Sequence, residues 1–459
     1  MKHPGLLLLV KGLFLLTFFT AEGRNLPGDA AGWKAGVARV VITPKELLWM
    51  AGFAVRTHPA EGTLHDLWAK ALALEDENGG QVVLVTADLL GFPKQVSDRI
   101  RNQLKTKYGL SKAQIILNSS HTHSGPVLQD ALFDIYPLDA EQLAKIRRYS
   151  TTLESQIVEL VGEALQKKEP VTLYAQNGVT RFQVNRRNNN AALLHRLPEL
   201  KGPNDYAVPV IKVLNARGQL KAMAFGYSCH PTVLNLYKWS GDYAGFAQME
   251  LEKANPGVTA LFFQSAGADQ NALPRNTIPL AQQYGRELAA AVERVLAEEM
   301  RPLSARLATA YAEVDLAFAK APTEADLLAV TKGDVVYHTR WAERMLAQLK
   351  RNEPFPKSYP YPVQIWQLGD QPLISLGGEV VVEYAIKLKQ IFGPNTFVAG
   401  YSNDVMAYIP SATVLREGGY EGESSQMVYG LPGIWASTIE ATILSEVIKL
   451  AREIGLPTP

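Results

Sequence analysis

The chain has 459 residues, 47% hydrophobic and 20% charged, ample apolar material for a large core. Its 46 basic and 45 acidic residues leave a net charge of +1 with no block of like charge, which argues against a nucleic-acid or other polyanion partner. The single cysteine, Cys229, excludes an intrachain disulfide and a cysteine-based zinc site, so any metal must be held by nitrogen and oxygen.

The N-terminus reads as a targeting segment. Met1-Lys2-His3 is a short basic start, Leu6 to Phe19 is apolar apart from Lys11 and Gly12, and Thr20 to Gly23 supplies small residues. This pattern predicts a secretory signal over 1–23, too short and interrupted for a membrane span. The mature domain, 24–459, is then expected outside the cytoplasm, secreted or periplasmic.

Ala35–Ile42 alternates and is β-branched, so it reads as a strand. A second strand leads from Leu64 through Leu74 to a turn at Glu75–Gly80, followed by an apolar strand, Gln81–Thr86. Asp88 lies just past that strand, where cleft residues sit in an α/β sheet. His65 and Asp88 are candidates for supporting a ligand, or simply a loop histidine and a helix N-cap. Val96–Tyr108 has helical spacing.

The apolar run Ala113–Leu117 then enters Asn118-Ser119-Ser120-His121-Thr122-His123-Ser124-Gly125-Pro126. If that backbone is extended, His121 and His123 point the same way. The pair could share a metal, or divide a metal and a substrate oxygen between them. Asn118-Ser119-Ser120 also spells a glycan acceptor, read here as chance.

Ala140–Lys167 is a long amphipathic helix. Arg181–Asn190 is rich in donors and could offer Arg186 to an anion or oxyanion. Strands Tyr206–Leu214 and Leu220–Tyr227 flank a hairpin turn at Asn215–Gly218, and the second runs into Ser228-Cys229-His230-Pro231. A helix at Phe246–Lys253 precedes a buried strand, Val258–Gln264, and small residues over Ser265–Asn271 would admit close approach of a ligand.

Further on, Leu280–Glu299 and Glu324–Asn352 read as helices, and Ala305–Val314, Tyr359–Trp366 and Pro372–Leu376 as strands. Gly377-Gly378-Glu379 opens a helix predicted over Val380–Phe392, which would place Glu379 at the positive end of the helix dipole. A strand at Thr396–Tyr401, a loop carrying Tyr408, the segment Tyr420-Glu421-Gly422 and a helix at Ile439–Ile454 complete the chain. This alternation predicts an α/β fold: a single large domain of mixed β-sheet flanked by helices.

Three potential ligands thus follow apolar strands: His121 or His123, His230, and Glu379. Two histidines and a carboxylate form a known catalytic zinc set, although no local zinc motif such as His-Glu-x-x-His is present. Three unrelated strand-end polar residues are the alternative.

Taken together and in order, Asn118–Pro126, His230-Pro231-Thr232, Gln264–Asn271, Gly378-Glu379 and Tyr408–Tyr420 resemble the neutral/alkaline (non-lysosomal) ceramidase family. The Ser-His-Thr-His-Ser-Gly-Pro core is the most specific piece. The resemblance implies a ceramidase-like catalytic domain with one catalytic Zn2+ that hydrolyses the N-acyl amide of ceramide. It implies His121, His230, Glu379 and Tyr408 as metal ligands, with His123, Arg186 and Tyr420 acting on the substrate oxygen. Asp269 or Asp88 would orient a ligand imidazole. A zinc ion would lower the pKa of its water to about 7, and each oxyanion donor would be worth about 3 kcal/mol.

The family carries a serine in a Gly-Asp-x-Ser-Pro segment, where this chain has Gln270, with Ser265 nearby but out of register. The chain's end at Pro459 leaves no room for the C-terminal immunoglobulin-like domain of larger members. The expected function is a secreted zinc-dependent amidohydrolase of an N-acyl amide. A zinc hydrolase of a different amide or ester, or a non-catalytic metal- or lipid-binding homologue, are the alternatives. The expected partner is a small-molecule or lipid amide, with peripheral contact at a membrane surface open and no nucleic acid.

Overall fold

The layering of the molecule follows from one strand, Trp68–Glu75. Its side chains alternate between faces. Ala69, Ala71 and Ala73 point into a core shared with helices, whereas Leu72 and Leu74 point into a core shared with a second sheet. Methyl groups on one face let the helices lie close, and leucines on the other fill the gap between sheets. Both faces are buried, which is why the sequence there lacks a polar alternation.

The computed structural model describes Met1 and residues 32–458. Apart from Met1, the predicted signal over 1–23 lies outside the described residues. Gly32–Pro459 forms one compact unit.

The main sheet contains β1 (Trp33–Val41), β2 (Trp68–Glu75), β3 (Gln81–Ala87), β4 (Ile115–Ser119), β5 (Glu169–Val179), β6 (Ala207–Asn215), β7 (Leu220–Tyr227) and β8 (Thr259–Gln264). They run in the order β8-β7-β6-β5-β1-β2-β3-β4, with Arg301–Leu303 added beside β5. Central pairings are antiparallel, but β3–β4 and β7–β8 at the two ends are parallel. Parallel neighbours need a crossover. Helix α1 (Lys94–Tyr108) makes the first and α3 (Asp242–Ala254) the second, while α2 (Ala140–Gln166) covers β1 and β2.

The sheet curls until its two ends meet at Asn118. The Asn118 side chain accepts from the backbone N–H of Gln264 at 2.8 Å and donates to the carbonyls of Gln264 and Gly400. This buried asparagine closes the sheet and cannot carry a glycan, in line with reading its acceptor motif as chance. The curl brings the ends of β4 and β7 side by side.

A second sheet, β9 (Leu307–Ala317), β10 (Ser358–Leu368), β11 (Gln371–Leu376) and β12 (Phe397–Ala399), packs on the leucine face of the first. Its other face is covered by α4 (Val382–Phe392) and α5 (Ile439–Glu453).

Two predicted elements differ. Glu324–Asn352 is not one helix but two, Glu324–Val330 and Val336–Lys350. The break lets Leu327 bury against Trp341 and Met345, which one straight helix could not do. The helix after Glu379 begins at Val382, and Glu379–Val380 instead pairs in parallel with Tyr408–Ile409.

Candidate metal centre

The site is built where β4, β7 and the Glu379–Val380 bridge end together. After β4 the chain turns sharply: His121 has φ of 62°, the left-handed region. The extended backbone predicted for the histidine pair is therefore not what aligns them. The turn itself swings both rings inward, with His121 Nε2 and His123 Nε2 3.2 Å apart. His230 is held by its backbone N–H on the Gln270 carbonyl at 2.8 Å, so the loop after β8 sets its position. Glu379 is fixed by its backbone N–H on the Ala407 carbonyl. The preceding Gly378, at φ of 69°, is required because a Cβ there would lie 2.6 Å from Ile409.

With His123 Nε2, four ligand atoms converge. His121 Nε2 lies 3.1 Å from His230 Nε2 and 3.1 Å from Glu379 Oε2, and His230 Nε2 lies 3.3 Å from that same oxygen. Among the described His, Cys, Asp and Glu residues, His121, His123 and His230 form the cluster whose ligand atoms all lie within 4.8 Å of one another.

The tautomers follow from the outer partners. His121 Nδ1 lies 2.6 Å from the Leu90 carbonyl and His230 Nδ1 3.2 Å from the Gly267 carbonyl. A carbonyl only accepts, so each Nδ1 carries the proton and each Nε2 turns a lone pair inward. Burial, followed by the neighbouring histidines and Arg186, holds His230 and His123 well below the ordinary histidine range, so both are neutral.

Glu379 Oε2 is buried and accepts no hydrogen bond from the described residues, while Tyr429 donates to Oε1. Two imidazole lone pairs and a bare carboxylate oxygen facing one point repel one another unless a cation sits between them. Their spacing suits one, because tetrahedral bonds of about 2.0 Å put ligand atoms about 3.3 Å apart. The donor set fits a divalent metal with nitrogen and oxygen preference.

His123 differs from the other two. Its Nδ1 has no hydrogen-bond partner among the described residues, and its ring packs on Phe53 and borders an open cleft of 590 Å³. Gly52 presses on that ring, since a Cβ there would lie 2.4 Å from His123 Cγ. His121 and His230 sit behind the cleft wall, whereas His123, Glu379, Arg186, Tyr408 and Tyr420 line it. The Tyr408 ring lies parallel to that of His230 at 6.4 Å, and its hydroxyl accepts from Arg186 Nη2 at 3.1 Å.

Arg186 and Arg187 separate clearly. Arg186 donates from Nε to Glu421 at 2.7 Å and faces the rings of Tyr408 and Tyr420. Arg187 clamps the neighbouring turn through Glu421 and Glu417. Burial alone would lower the charge affinity of Arg186, but Tyr408 and Glu421 outweigh it and hold the guanidinium charged.

The predicted supporting acids do other work. Neither Asp269 nor Asp88 touches a ligand imidazole, because backbone carbonyls occupy both Nδ1 positions. Asp269 accepts from the Val382 N–H and from Asn185, and its own carbonyl accepts from the Arg186 N–H. It thus takes the place at the helix N-terminus expected of Glu379 and ties that helix to the turn that carries Arg186. Asp88 accepts from the Trp68 N–H at 3.0 Å, and His65 contacts Ser240 behind the histidine loop. Gln270 turns its amide to the Pro203 carbonyl, away from the cleft, and Gly267 makes room for the backbone of Cys229 rather than for a ligand.

Sequence reasoning missed Tyr429, which holds Glu379, and Arg56, which holds the His123 carbonyl at 2.9 Å. Neither stands at a strand end or in a motif, so no local pattern marks them.

Residues 33–273, more than half the chain, match the model of the family described as neutral/alkaline non-lysosomal ceramidase, N-terminal. His121, His123, Arg186, His230 and Asp269 fall inside that match; Glu379, Tyr408 and Tyr420 lie beyond it. The chain is 30% identical over 112 residues to neutral ceramidase of Drosophila melanogaster, covering 23% of this chain and 16% of that protein. It is 25% identical over 196 residues to neutral ceramidase B of Dictyostelium discoideum, covering 40% of this chain and 26% of that one. These matches span well under a third of either relative's length. The fold is similar to the crystal structure of neutral ceramidase from Pseudomonas aeruginosa, at a TM-score of 0.72 and 18% identity over 94% of this chain and 76% of that one. A structure of a ceramidase complexed with C2 is similar to the same degree, with a TM-score of 0.72 and 17% identity. The mixed α/β architecture is therefore that of the neutral ceramidases, and the chain belongs to the neutral/alkaline non-lysosomal ceramidase family.

Proposed function

We propose that the chain is a zinc-dependent amidohydrolase acting on an N-acyl amide, with ceramide-like compounds as the starting substrate class. The observation that carries this reading is the convergence of His121 Nε2, His230 Nε2 and Glu379 Oε2 at tetrahedral spacing beside an open cleft. His121, His230 and Glu379 would hold the ion, with Tyr408 as a fourth ligand. When bound, zinc supplies Lewis-acid activation of water and of the amide carbonyl.

The chain's own residues do the rest. Water adds to the acyl carbon, the C–N bond breaks, and a proton leaves with the amine. His123, Arg186 and Tyr420 line the cleft as donors to the carbonyl oxygen as it gains charge. Arg186 is held in place by Glu421, and its backbone N–H is anchored on the Asp269 carbonyl. Phe53, Leu132, Ile135 and Val428 offer an apolar wall for an acyl chain.

Metal analysis of the purified protein, together with a panel of acyl amides and esters, tests the reading. The expected result is one zinc per chain and metal-dependent release of amine. Absence of zinc, with no binding or activity on its addition, refutes it. We also read residues 1–23 as an export signal, and N-terminal sequencing of the mature protein from medium or periplasm, expected to start near Arg24, checks this.

A further inference from the structure

Beside the cleft lies a second cavity of 630 Å³. The two share Arg186, Arg187, Asn271 and Arg275 in their walls. Asn188 and Asn190 add further polar surface to the second, and no carboxylate lines it. Two of its three arginines are already neutralised: Arg186 and Arg187 share the Glu421 carboxylate at 2.7 and 2.6 Å.

Arg275 is not neutralised. This half-buried guanidinium makes no hydrogen bond and no ion pair among the described residues. The acid whose charge reaches it, Asp242, spends its oxygens on the N–H groups of Leu234 and Tyr243. Arg186 and Arg275 meanwhile repel each other across the shared wall. An uncompensated guanidinium in the wall of a polar cavity that lacks a carboxylate makes a receptor for an anion, since arginine is the weakly hydrated, multidentate choice for carboxylate.

We propose that this annex binds an anionic group on the amine side of the substrate, with Arg275 as its principal partner. The preferred substrates are then N-acyl amides bearing a carboxylate, such as N-acyl amino acids, rather than neutral amides. The acyl chain lies along the apolar wall formed by Leu132, Ile135 and Val428, and the charged head lies in the annex. The inference rests on the amidohydrolase reading, and it names the feature that separates this site from one built for an uncharged lipid.

The test compares N-dodecanoylglycine with N-dodecanoylethanolamine on the zinc-loaded full chain. They share one acyl chain and one amide and differ in charge. The expected ratio of kcat/KM, anionic over neutral, is about 10 or more, the scale of a charge-assisted hydrogen bond. Arg275→Gln should bring the ratio close to 1 through KM, and Arg275→Lys should recover part of it. A wild-type ratio of 1 or below, or a high ratio that persists in Arg275→Gln, overturns the proposal. The wild-type ratio needs no variant, so misfolding of Arg275→Gln does not shield it. If neither amide is cleaved, the hydrolase reading fails instead. Calorimetric titration with the same two compounds then still reads whether the anion binds more tightly, and equal affinities overturn the annex.

Discussion

At the scale of single residues, His121 and His123 look alike in sequence and are treated differently by the fold. His121 gives its Nδ1 proton to the Leu90 carbonyl and is sealed from solvent, while His123 keeps Nδ1 free and borders the cleft. Both place Nε2 at the centre, so the fold offers three imidazoles where the family resemblance implies two ligands. The division of labour is decided by substitution. His121→Ala should remove the metal, because it deletes an atom about 3 Å from two other donors. His123→Ala should retain zinc and lose about 100-fold or more in kcat, the scale of one lost oxyanion donor. Zinc stoichiometry measured beside kcat separates the two, and equal metal loss in both variants overturns the division. His121, His123, His230 and Glu379 were legible because each follows an apolar strand. Tyr429 and the two carbonyl acceptors were not, since a hydroxyl and a main-chain oxygen carry no pattern of their own.

At the scale of elements, strands were readable and their ends were not. β3, β7 and β8 lie within a residue of their predicted positions because apolar, β-branched runs specify a buried strand wherever they occur, whereas β2 starts four residues later than expected, at Trp68. The helix over Glu324–Asn352 failed at Thr331–Val335, where Gly333-Asp334 supports a turn and burial of Leu327 against Trp341 demands one. The Glu379 segment failed for a related reason: a short pairing with Tyr408–Ile409 competes with the helix and wins because it satisfies backbone groups in a buried place. The packing of β1 on α2 gives a prediction at this scale. A Cβ on Gly36 would stand 1.9 Å from the Ala164 carbonyl, a backbone atom that cannot rotate away. Gly36→Ala should therefore cost about 2–3 kcal/mol and lower Tm by about 2–3 °C. Thermal unfolding checks this, and zinc content should stay at one per chain because the contact is remote from the site.

For the whole molecule, stability should depend on pH through a buried acid between the sheets and the site. Burial pushes Asp404 up to about 7, against the hydrogen bond that Tyr359 donates to it. Its folded value lies above its unfolded one, so the native state binds the extra proton. That contribution is complete below the unfolded value near 3.8 and is lost as pH rises through about 7. The difference corresponds to at most about 4 kcal/mol. Asp404→Asn keeps an acceptor for Tyr359 without the charge. It should unfold at higher temperature than the wild type at pH 8, with the gap closing toward pH 4. Equal pH profiles for the two proteins, followed by calorimetry, would argue that Asp404 stays ionised when folded.

By itself, the sequence determined the strands, most helices, the single α/β domain and the residue types of a candidate metal site, because period and composition are local properties of a chain. Only the tertiary structure decided which polar residues meet. The curl of the main sheet closes on Asn118, and that closure brings residues 109 positions apart, His121 and His230, to 3.1 Å. The same folding gave Asp269 to a helix end rather than to an imidazole, and left Arg275 without a partner among the described residues, in a cavity that no motif announces. Convergence of this kind depends on how distant segments share one core, and a linear pattern holds no term for it.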